Sequence, residues 1–338
     1  MLFLLLILFL ISFFVTFFAV PVLISYCTKK KIGGNDVNKE GRPFVPGLGG
    51  LSIVLALLVS LVFLFFLSSS SGMQSFLGVS LDSRSSSIVL ATTAVLLIAA
   101  AIGLIDDFVS IPHKVKLLLP ILISVPIILV KMSGVAVLSI PLIGQLAFIP
   151  PIVYLLVLIP VGVMAVTNVT NTFAGFNGLE AGLASVVVFF LLLISFAQNE
   201  TSIFLVCIPF LGALLAFILY NWYPARIFID DVGTLAIGAV LSSAIILGSL
   251  EFIGAILLLP YIIDFLFFKI PNRLPSTKWW PEVRGNRLYF SGKPIHFGQW
   301  AVKHIGGEKG ITEQNLVMFF IFFGIVLGVV ALFFAGLI

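Results

Sequence analysis

The chain has 338 residues, of which 61% are hydrophobic and only 9% are charged, and its formal net charge is +4. A soluble globular domain carries roughly 25% charged residues, so this composition excludes a water-soluble fold and indicates a protein that lies in a lipid bilayer. Spanning segments must be helices or closed barrels, and the long continuous apolar runs lack the alternation of barrel strands. We therefore expect an all-α, polytopic integral membrane protein.

At about 20 residues per crossing, the apolar runs predict ten transmembrane helices. They cover residues 2–27, 47–68, 87–106, 115–131, 151–167, 179–197, 202–220, 233–250, 252–268 and 313–335. Segment 132–150 is apolar but interrupted by glycines and prolines, so we interpret it as a short extramembrane hairpin. We expect residues 1–338 to form a single transmembrane catalytic domain.

Basic residues are divided unevenly between the two sets of loops that ten helices create. One set comprises 28–46, 107–114, 168–178, 221–232 and 269–312. With the adjacent helix ends, this set holds sixteen of the eighteen Lys and Arg residues, whereas the other set has only Arg84 and Lys131. By the positive-inside rule the first set is predicted to be cytoplasmic, which places both termini outside.

Nearly all the residues that could carry chemistry lie in the same predicted cytoplasmic loops. A transporter should instead place polar groups near the bilayer midplane. The clear mid-helix carboxylate, Asp264, lies close to the inner end of its predicted helix. The sequence therefore favours chemistry at the cytoplasmic membrane surface, with a membrane transporter of a lipid-linked or polar substrate as the alternative.

Two predicted inner loops each carry a pair of adjacent carboxylates. Asp106 and Asp107 end the third predicted helix, and Asp230 and Asp231 precede the eighth. Adjacent carboxylates repel each other, and a metal ion or a cationic group would relieve that repulsion. A solvated helix end, or capping of a helix dipole, would explain some of these residues. Carboxylates with an amide from the asparagine-rich stretch 168–178 are ligands that suit Mg²⁺ and leave room for phosphate oxygens.

Loop 269–312 is basic and rich in aromatic residues. Such a loop could lie on anionic lipid headgroups, or it could clamp a nucleotide-sugar by Arg–phosphate pairing and stacking. The spacing of the basic and aromatic residues in this loop does not distinguish between these two interpretations. Together with the acidic pairs, it indicates phosphoryl or prenyl transfer on a lipid. Prenyltransferase motifs usually space their carboxylates three or four residues apart, so an intramembrane prenyltransferase is the weaker alternative.

Four motifs occur in a fixed order along the chain. They are Asp36-x-Asn38-Lys39, Ile105-Asp106-Asp107 followed by Lys116-Leu-Leu-Leu-Pro120, Asn168-x-x-Asn171-x-x-Ala-Gly175-x-Asn177-Gly-Leu-Glu180-Ala-Gly182, and Asn221-Trp-Tyr-Pro-Ala-Arg226-x-Phe-x-x-Asp231. This combination resembles the polyprenyl-phosphate N-acetylhexosamine-1-phosphate transferases, a family with ten helices, over residues 30–335. The eukaryotic and archaeal UDP-GlcNAc–dolichyl-phosphate GlcNAc-1-phosphotransferases are the most similar type.

The resemblance implies transfer of GlcNAc-1-phosphate, or a related N-acetylhexosamine-1-phosphate, from a UDP-sugar to a polyprenyl or dolichyl phosphate, with release of UMP. That reaction is the first membrane step of N-glycan or cell-surface glycan assembly. The expected location is the plasma membrane of a prokaryote or the ER membrane of a eukaryote, with the active site on the cytoplasmic face. Expected partners are the UDP-N-acetylhexosamine, the lipid phosphate and membrane lipids, with no nucleic acid, and a homodimer is one expected assembly.

The resemblance also assigns site residues. Asn171 and Asp231 match the positions that bind Mg²⁺, with Mn²⁺ as an alternative, and Asp231 is also an expected catalytic residue. Asp106 and Asp107 match the acidic pair beside the attacking lipid phosphate, with Asp106 the preferred base or positioner. Lys116 matches a phosphate-contacting lysine. The expected substrate-binding residues are Asp36, Asn38, Lys39, Gly175, Asn177, Glu180, Arg226 and Arg273, of which Gly175 and Asn177 match the uridine-pocket turn.

Two positions depart from the family pattern. Asp230 occupies a position that is commonly Gly, which makes Asp231 the expected metal ligand of that pair. The family's last long inner loop recognises the sugar, and the corresponding substrate-recognition loop here is 269–312. Its run Pro271-Asn272-Arg273-Leu274-Pro275 matches the Arg-His-Arg-like signature only partly, at Arg273.

Overall fold

The computed structural model describes residues 2–69, 81–133, 139–140, 144–145, 149–272 and 281–338. Within these ranges, nine helices are long and apolar enough to cross a membrane, and a bent helix pair brings the number to ten if it is counted as one span. The strands described there form only short two-stranded hairpins. The expected all-α, polytopic membrane fold with about ten spans is confirmed.

The helices that follow one another along the chain are α1 (Leu2–Lys30), α2 (Gly50–Ser69), α3 (Ser83–Val109), α4 (Lys114–Met132), α5 (Pro151–Thr172), α6 (Leu179–Ala197), α7 (Thr201–Asn221), α8 (Asp230–Leu247), the bent pair α9 (Glu251–Leu257) and α10 (Leu259–Lys269), the short α11 (Phe297–Ala301) and α12 (Glu313–Phe334). Each antiparallel hairpin pairs consecutive strands. The strands are β1 (Gly33–Asn35) with β2 (Phe44–Pro46), β3 (Ser139–Ile140) with β4 (Gly144–Gln145), and β5 (Glu282–Arg284) with β6 (Arg287–Tyr289). The β3–β4 pair confirms a hairpin within the predicted segment 132–150.

Helix α8 is the centre of the bundle, because every residue from 232 to 247 is buried. Small residues let the neighbouring backbones approach it closely. A Cβ atom on Gly50 of α2 would lie 2.2 Å from the Cα of Gly233 in α8. A Cβ atom on Gly103 of α3 would lie 2.4 Å from the Cα of Val232. These contacts hold the end of α3, with its acidic pair, against the start of α8.

Helix α5 continues to Thr172, so the prediction that loop 168–178 begins at Asn168 is wrong at its start. The polar residues of this turn are satisfied within the bundle. The Oγ1 atom of Thr170 donates to Val166 O at 3.0 Å, and the amide of Asn168 donates to Met164 O at 2.8 Å and to Leu117 O at 2.9 Å. Polar side chains that bond to helix carbonyls resemble a loop in composition while remaining helical.

Helix α8 begins at Asp230, three residues before the predicted start, so both carboxylates of that pair belong to its first turn. The ninth predicted span, 252–268, is not a continuous helix. It breaks at Leu258, and the two halves meet at a bend of 70°. Pro260 follows the break, and proline supplies no N–H for a preceding carbonyl and crowds the turn before it, so a continuous helix is disfavoured there.

Loops predicted to share one face do meet at one end of the bundle. The first of them, 28–46, contacts the third loop where Asn177 Nδ2 donates to Asp36 Oδ2 at 2.9 Å. It contacts the fourth loop where the N–H of Phe228 donates to Pro46 O at 2.8 Å. The residues expected to carry chemistry are therefore gathered at this end.

The close contact of α3 with α8 generates a prediction about stability. Gly103→Ala should lower the free energy of unfolding by about 1–3 kcal/mol, because the added methyl group overlaps the backbone of α8. Gly162→Ala is the matched control, since a Cβ atom there meets no heavy atom within 4 Å. The check is the thermal unfolding midpoint of each purified variant in detergent. Equal midpoints for the two variants would show that α3 and α8 are not closely packed.

Candidate active site

A lysine held between two carboxylates forms the centre of the site. Lys116 Nζ lies 2.5 Å from Asp106 Oδ2 and 2.8 Å from Asp231 Oδ2. Asn171 Nδ2 donates to the other oxygen of Asp231 at 2.5 Å and to Thr234 Oγ1 at 2.7 Å. The structure thus brings together predicted residues from α3, α4, α5 and α8. With one ammonium against two carboxylates, the cluster is net negative and attracts a further cation.

Asp106 is fixed by the chain that leaves α3. Its Oδ1 atom accepts the backbone N–H of Ile111 at 2.7 Å, and its carbonyl accepts the N–H of Ser110 at 2.9 Å. Ser110 has a φ of 56°, so the helix ends in a left-handed turn that folds the following residues back over the carboxylate. Asp106 is 7% exposed. One oxygen is therefore occupied by the backbone, and the other is directed at Lys116.

The second carboxylate of each pair bonds to the backbone of another element. Asp107 Oδ1 accepts the N–H of Asp231 at 2.9 Å and its Oδ2 accepts the N–H of Val232 at 3.0 Å, which caps the first turn of α8. Asp230 Oδ2 accepts the N–H of Leu48 at 2.6 Å. Neighbouring residues on a helix point in different directions, so the two members of a pair serve different purposes. The catalytic role expected for Asp107 stays a prediction.

A cavity of about 380 Å³ adjoins the cluster at Asn171 and Asp231. Its lining includes the predicted residues Asp36, Asn38, Gly175, Asn177 and Glu180. The backbone of its floor is a turn with left-handed glycines. Gly175 has a φ of 116°, and a Cβ atom on Gly178, where φ is 88°, would lie 2.7 Å from the ring of Trp222. Glycine alone tolerates the positive φ at both positions, and at Gly178 it also avoids the overlap with Trp222. The resulting turn exposes backbone to the cavity.

The predicted polar residues around this turn are joined in one network. Glu180 Oε1 accepts the N–H of Gly175 at 2.7 Å, and Asn38 Nδ2 donates to Gly175 O at 2.7 Å. Lys39 Nζ lies 3.1 Å from Asp36 Oδ2. Among the described residues, Asn38 Oδ1 is buried without a hydrogen-bond partner. Because an unsatisfied buried acceptor costs free energy, this oxygen is suited to accept a ligand donor in the cavity.

Glu313 is a residue of this network that the sequence analysis missed. Its Oε1 atom accepts the N–H of Asn177 at 2.7 Å and the amide of Asn38 at 3.4 Å, and its Oε2 pairs with Lys39. Glu313 is only 2% exposed. It is the first residue of α12, where a carboxylate also complements the helix dipole. The available signal was a carboxylate at the start of the last span, next to the predicted inner loop 269–312.

Two predicted substrate-binding residues that the structure describes, Lys39 and Arg226, do not line the cavity. Lys39 lies behind it, between Asp36 and Glu313, and its Nζ is 4.2 Å from the ring centroid of Tyr223. Arg226 is exposed, and its guanidinium lies 5.2 Å from the ring of Tyr220. Arg273 lies outside the described residues, so its predicted contact with the sugar stays a prediction.

The described part of the recognition loop, 281–312, is anchored beside the end of α5. The ring of His296 stacks on Phe173 at a centroid distance of 5.5 Å, and its Nε2 is 3.3 Å from Thr172 O. Burial lowers the pKa of His296 to about 3, so it is neutral and its 3.8 Å approach to Asp264 is not an ion pair. Asp264 Oδ1 instead accepts the N–H of Phe297 at 2.6 Å, which holds α11 against α10.

The oxygens around Lys116 suit a hard divalent cation. Asp106 and Asp231 carry carboxylate oxygens there, and Asn171, whose Nδ2 faces Asp231, would supply its amide oxygen by turning the amide group. In the part of the chain that is described, no three His, Cys, Asp or Glu side chains form a closed metal site. An Mg²⁺ ion bound here would therefore take its remaining ligands from phosphate oxygens and water, which is usual for this ion.

Residues 87–249 match the family model for glycosyl transferase family 4. This stretch runs from α3 to just beyond α8, and it contains Asp106, Lys116, Asn171 and Asp231. All four residues of the central cluster are therefore within the matched region.

Similarity to characterised families extends over most of the chain. It is 30% identical over 274 residues to a candidate UDP-N-acetylglucosamine–dolichyl-phosphate N-acetylglucosaminephosphotransferase of Saccharolobus solfataricus, which covers 80% of each protein. It is 28% identical over 323 residues to a candidate glycosyltransferase of Methanocaldococcus jannaschii, covering 92% of this chain and 91% of the relative. A phospho-N-acetylmuramoyl-pentapeptide-transferase of Streptococcus mutans is 29% identical over 295 residues, covering 82% of each. The family resemblance carried by the four motifs is confirmed, and the chain belongs to glycosyl transferase family 4.

Proposed function

We propose that the protein transfers an N-acetylhexosamine-1-phosphate, with GlcNAc-1-phosphate as the first candidate, from its UDP-sugar to a polyprenyl or dolichyl phosphate. The products are a lipid-linked diphosphoryl sugar and UMP. The observation that carries the proposal is the position of Lys116 between Asp106 and Asp231, because Asp231 also lines a polar cavity. The name of the Saccharolobus solfataricus relative supports GlcNAc as the first donor sugar to test and dolichyl phosphate as the first acceptor.

An apolar groove supports a lipid acceptor. The groove has a volume of about 300 Å³ and lies between α5, α8 and the bent pair α9–α10. Val166 and Val169 line it, and Val169 is two residues from Asn171 on α5. The isoprenoid chain lies along this groove, which brings its phosphate to the central cluster. The bend at Leu258, whose side chain also lines the groove, keeps α10 from filling that space.

The reaction forms a bond between an oxygen of the acceptor phosphate and the sugar-bearing phosphorus of the UDP-sugar. The bond from that phosphorus to the UMP oxygen breaks, and UMP leaves with the electron pair. The acceptor phosphate is already anionic, so the protein mainly has to neutralise charge and align the reacting groups. Lys116 exchanges one carboxylate for a phosphate oxygen, while Asp106, held by Ile111, orients the ammonium.

Asp231 and Asn171 would hold the Mg²⁺ or Mn²⁺ ion of this proposal, and the ion would neutralise charge on the diphosphate. The uridine and sugar occupy the cavity, where the backbone of the Gly175 turn and Asn38 Oδ1 face them. This end of the bundle is the cytoplasmic one in the proposal, since sixteen of the eighteen basic residues belong to its side of the predicted topology.

A donor and acceptor screen tests the reaction. Purified protein in nanodiscs, with Mg²⁺ and dolichyl phosphate, should convert UDP-GlcNAc labelled in the sugar to a chloroform-soluble product. The same donor labelled in uridine should leave its label in the aqueous phase as UMP, in equal amount. UDP-GalNAc and other UDP-N-acetylhexosamines identify the preferred sugar. No release of UMP from any of these donors by folded protein would contradict the proposal.

Lys116→Met tests the central cluster. We expect kcat to fall by about 100-fold or more, because the variant lacks a preorganised charge next to the reacting phosphates. Lys114→Met is the matched control, since this exposed lysine lies two residues away on the same helix. Initial rates at saturating substrates provide the measurement. Similar rates for the two variants would remove Lys116 from the site.

Glu313→Gln tests the network behind the cavity. Glutamine keeps an acceptor for Asn177 but removes the ion pair with Lys39. We expect KM for the UDP-sugar to rise about tenfold, while kcat changes by less than about threefold, because Glu313 shapes the pocket and does not contact the reacting phosphates. Glu308→Gln, an exposed carboxylate in the preceding loop, should match the unsubstituted protein. An unchanged KM, or a fall in kcat alone, would show that this network does not shape the nucleotide pocket.

A further inference from the structure

A second polar cavity lies at the opposite end of the bundle from the candidate active site. Its volume is about 660 Å³, and its lining includes Arg84 and Lys131 with Ser83, Ser87, Ser133 and Ser249. Arg84 begins α3, whereas Asp106 is near its end, about 33 Å away at 1.5 Å per residue. The two cavities therefore face opposite membrane surfaces.

The two cations of this cavity belong to the side of the topology that is otherwise without Lys or Arg. Positively charged residues are disfavoured on that side of a membrane protein. If Arg84 and Lys131 lay far apart, each could be an isolated exception to this rule. They come from different helices, α3 and α4, and both line one cavity. Of the four serines in the lining, Ser87 and Ser133 donate their hydroxyls to helix carbonyls, whereas Ser249 accepts from Lys131 and keeps its O–H for another acceptor.

Lys131 is only 7% exposed, although its side chain ends in an ammonium group. Its Nζ donates to Ser249 Oγ at 2.8 Å and lies 6.0 Å from the ring centroid of Tyr154. No ion pair closer than 4.0 Å joins it to a carboxylate among the described residues. A buried ammonium requires an anion or several acceptors. With three N–H donors, it has bonding capacity left for a ligand in the cavity.

The carboxylates that the structure describes near this end of the bundle do not line the cavity. Glu200 Oε2 pairs with Arg84 Nη2 at 2.8 Å, and this single contact leaves other N–H groups of the guanidinium to bond elsewhere. Glu251 accepts the hydroxyl of Tyr154 and lines the neighbouring apolar groove. Asp82 accepts the N–H of Ser85 as the cap of α3. The described lining therefore contains two cations, serine residues and apolar side chains, and Glu251 and Glu200 attract the Lys131 ammonium from outside the lining.

We propose that this cavity binds a phosphate group, carried by a membrane lipid or present as the free anion. Guanidinium, ammonium and hydroxyl donors converging on one space match the oxygens of a phosphate. A lipid carrier suits the position, because Tyr154 and Glu251 line the adjoining apolar groove next to Lys131. The site is separate from the transfer reaction and does not depend on the proposed function.

Binding of phosphatidylglycerol, measured by native mass spectrometry of the full-length protein, tests this site. Arg84→Gln and Lys131→Gln should each raise the dissociation constant by about tenfold, the effect of one charged hydrogen bond. Lys29→Gln is the matched control, since this exposed lysine is at a helix end on the other side. If Lys131→Gln does not fold, Arg84→Gln decides alone, because the Arg84 side chain is 56% exposed.

Hydrogen exchange locates the ligand and identifies its source. Phosphatidylglycerol should protect residues 83–87 and 130–133, and the protection should be lost in Arg84→Gln. If inorganic phosphate protects the same residues equally well, the ligand is the free anion, and if only the lipid does, it is a lipid headgroup. Both results support a phosphate site. Absence of protection by either probe, or equal lipid affinity in all variants, would overturn the proposal and leave Arg84 as the ion-pair partner of Glu200 and Lys131 as a hydrogen-bond donor to Ser249.

Discussion

The capping of α8 by Asp107 is the interaction on which the candidate active site depends. Its carboxylate accepts the N–H groups of Asp231 and Val232, and Gly103 lets the two helices touch one turn earlier on α3. Together these contacts fix the end of α3 against the start of α8. Asp106, the neighbour of the capping residue, is thereby directed at the same lysine as Asp231. One carboxylate that bonds to the backbone of α8 thus positions the two that hold Lys116.

Charge compensation within the bundle explains how so many ionised groups remain stable at a membrane edge. Lys116 neutralises part of the charge on Asp106 and Asp231, and Lys39 does the same for Asp36 and Glu313. Isolated buried charges would be costly, whereas hydrogen-bonded pairs are tolerated. The two lysines differ in what lies beside them. Lys116 pairs with Asp231, which lines the cavity, whereas Lys39 lies behind the cavity between Asp36 and Glu313.

The bent pair α9–α10 borders an apolar groove that runs between the two polar ends of the bundle. Its break at Leu258 leaves an apolar groove that extends from Val169, near the candidate active site, to Glu251 and Tyr154, near the second cavity. Asp264 on α10 also holds α11 in place beside the end of α5. The apolar groove and the described part of loop 269–312 are in this way organised around the same helices. Polar chemistry is confined to the two ends because the bilayer core cannot satisfy it.

The sequence by itself determined the membrane class, the approximate spans and the loops that share one face, because hydropathy and charge distribution follow directly from the bilayer as solvent. Its ordered motifs also identified the family and the residues Asp106, Lys116, Asn171 and Asp231. Only the tertiary structure decided that Asp107 and Asp230 bond to backbone, that Asn171 lies on a helix, and that Glu313 belongs to the pocket. These facts depend on contacts between residues far apart in the chain, so local composition could not distinguish a capping carboxylate from one that faces a ligand.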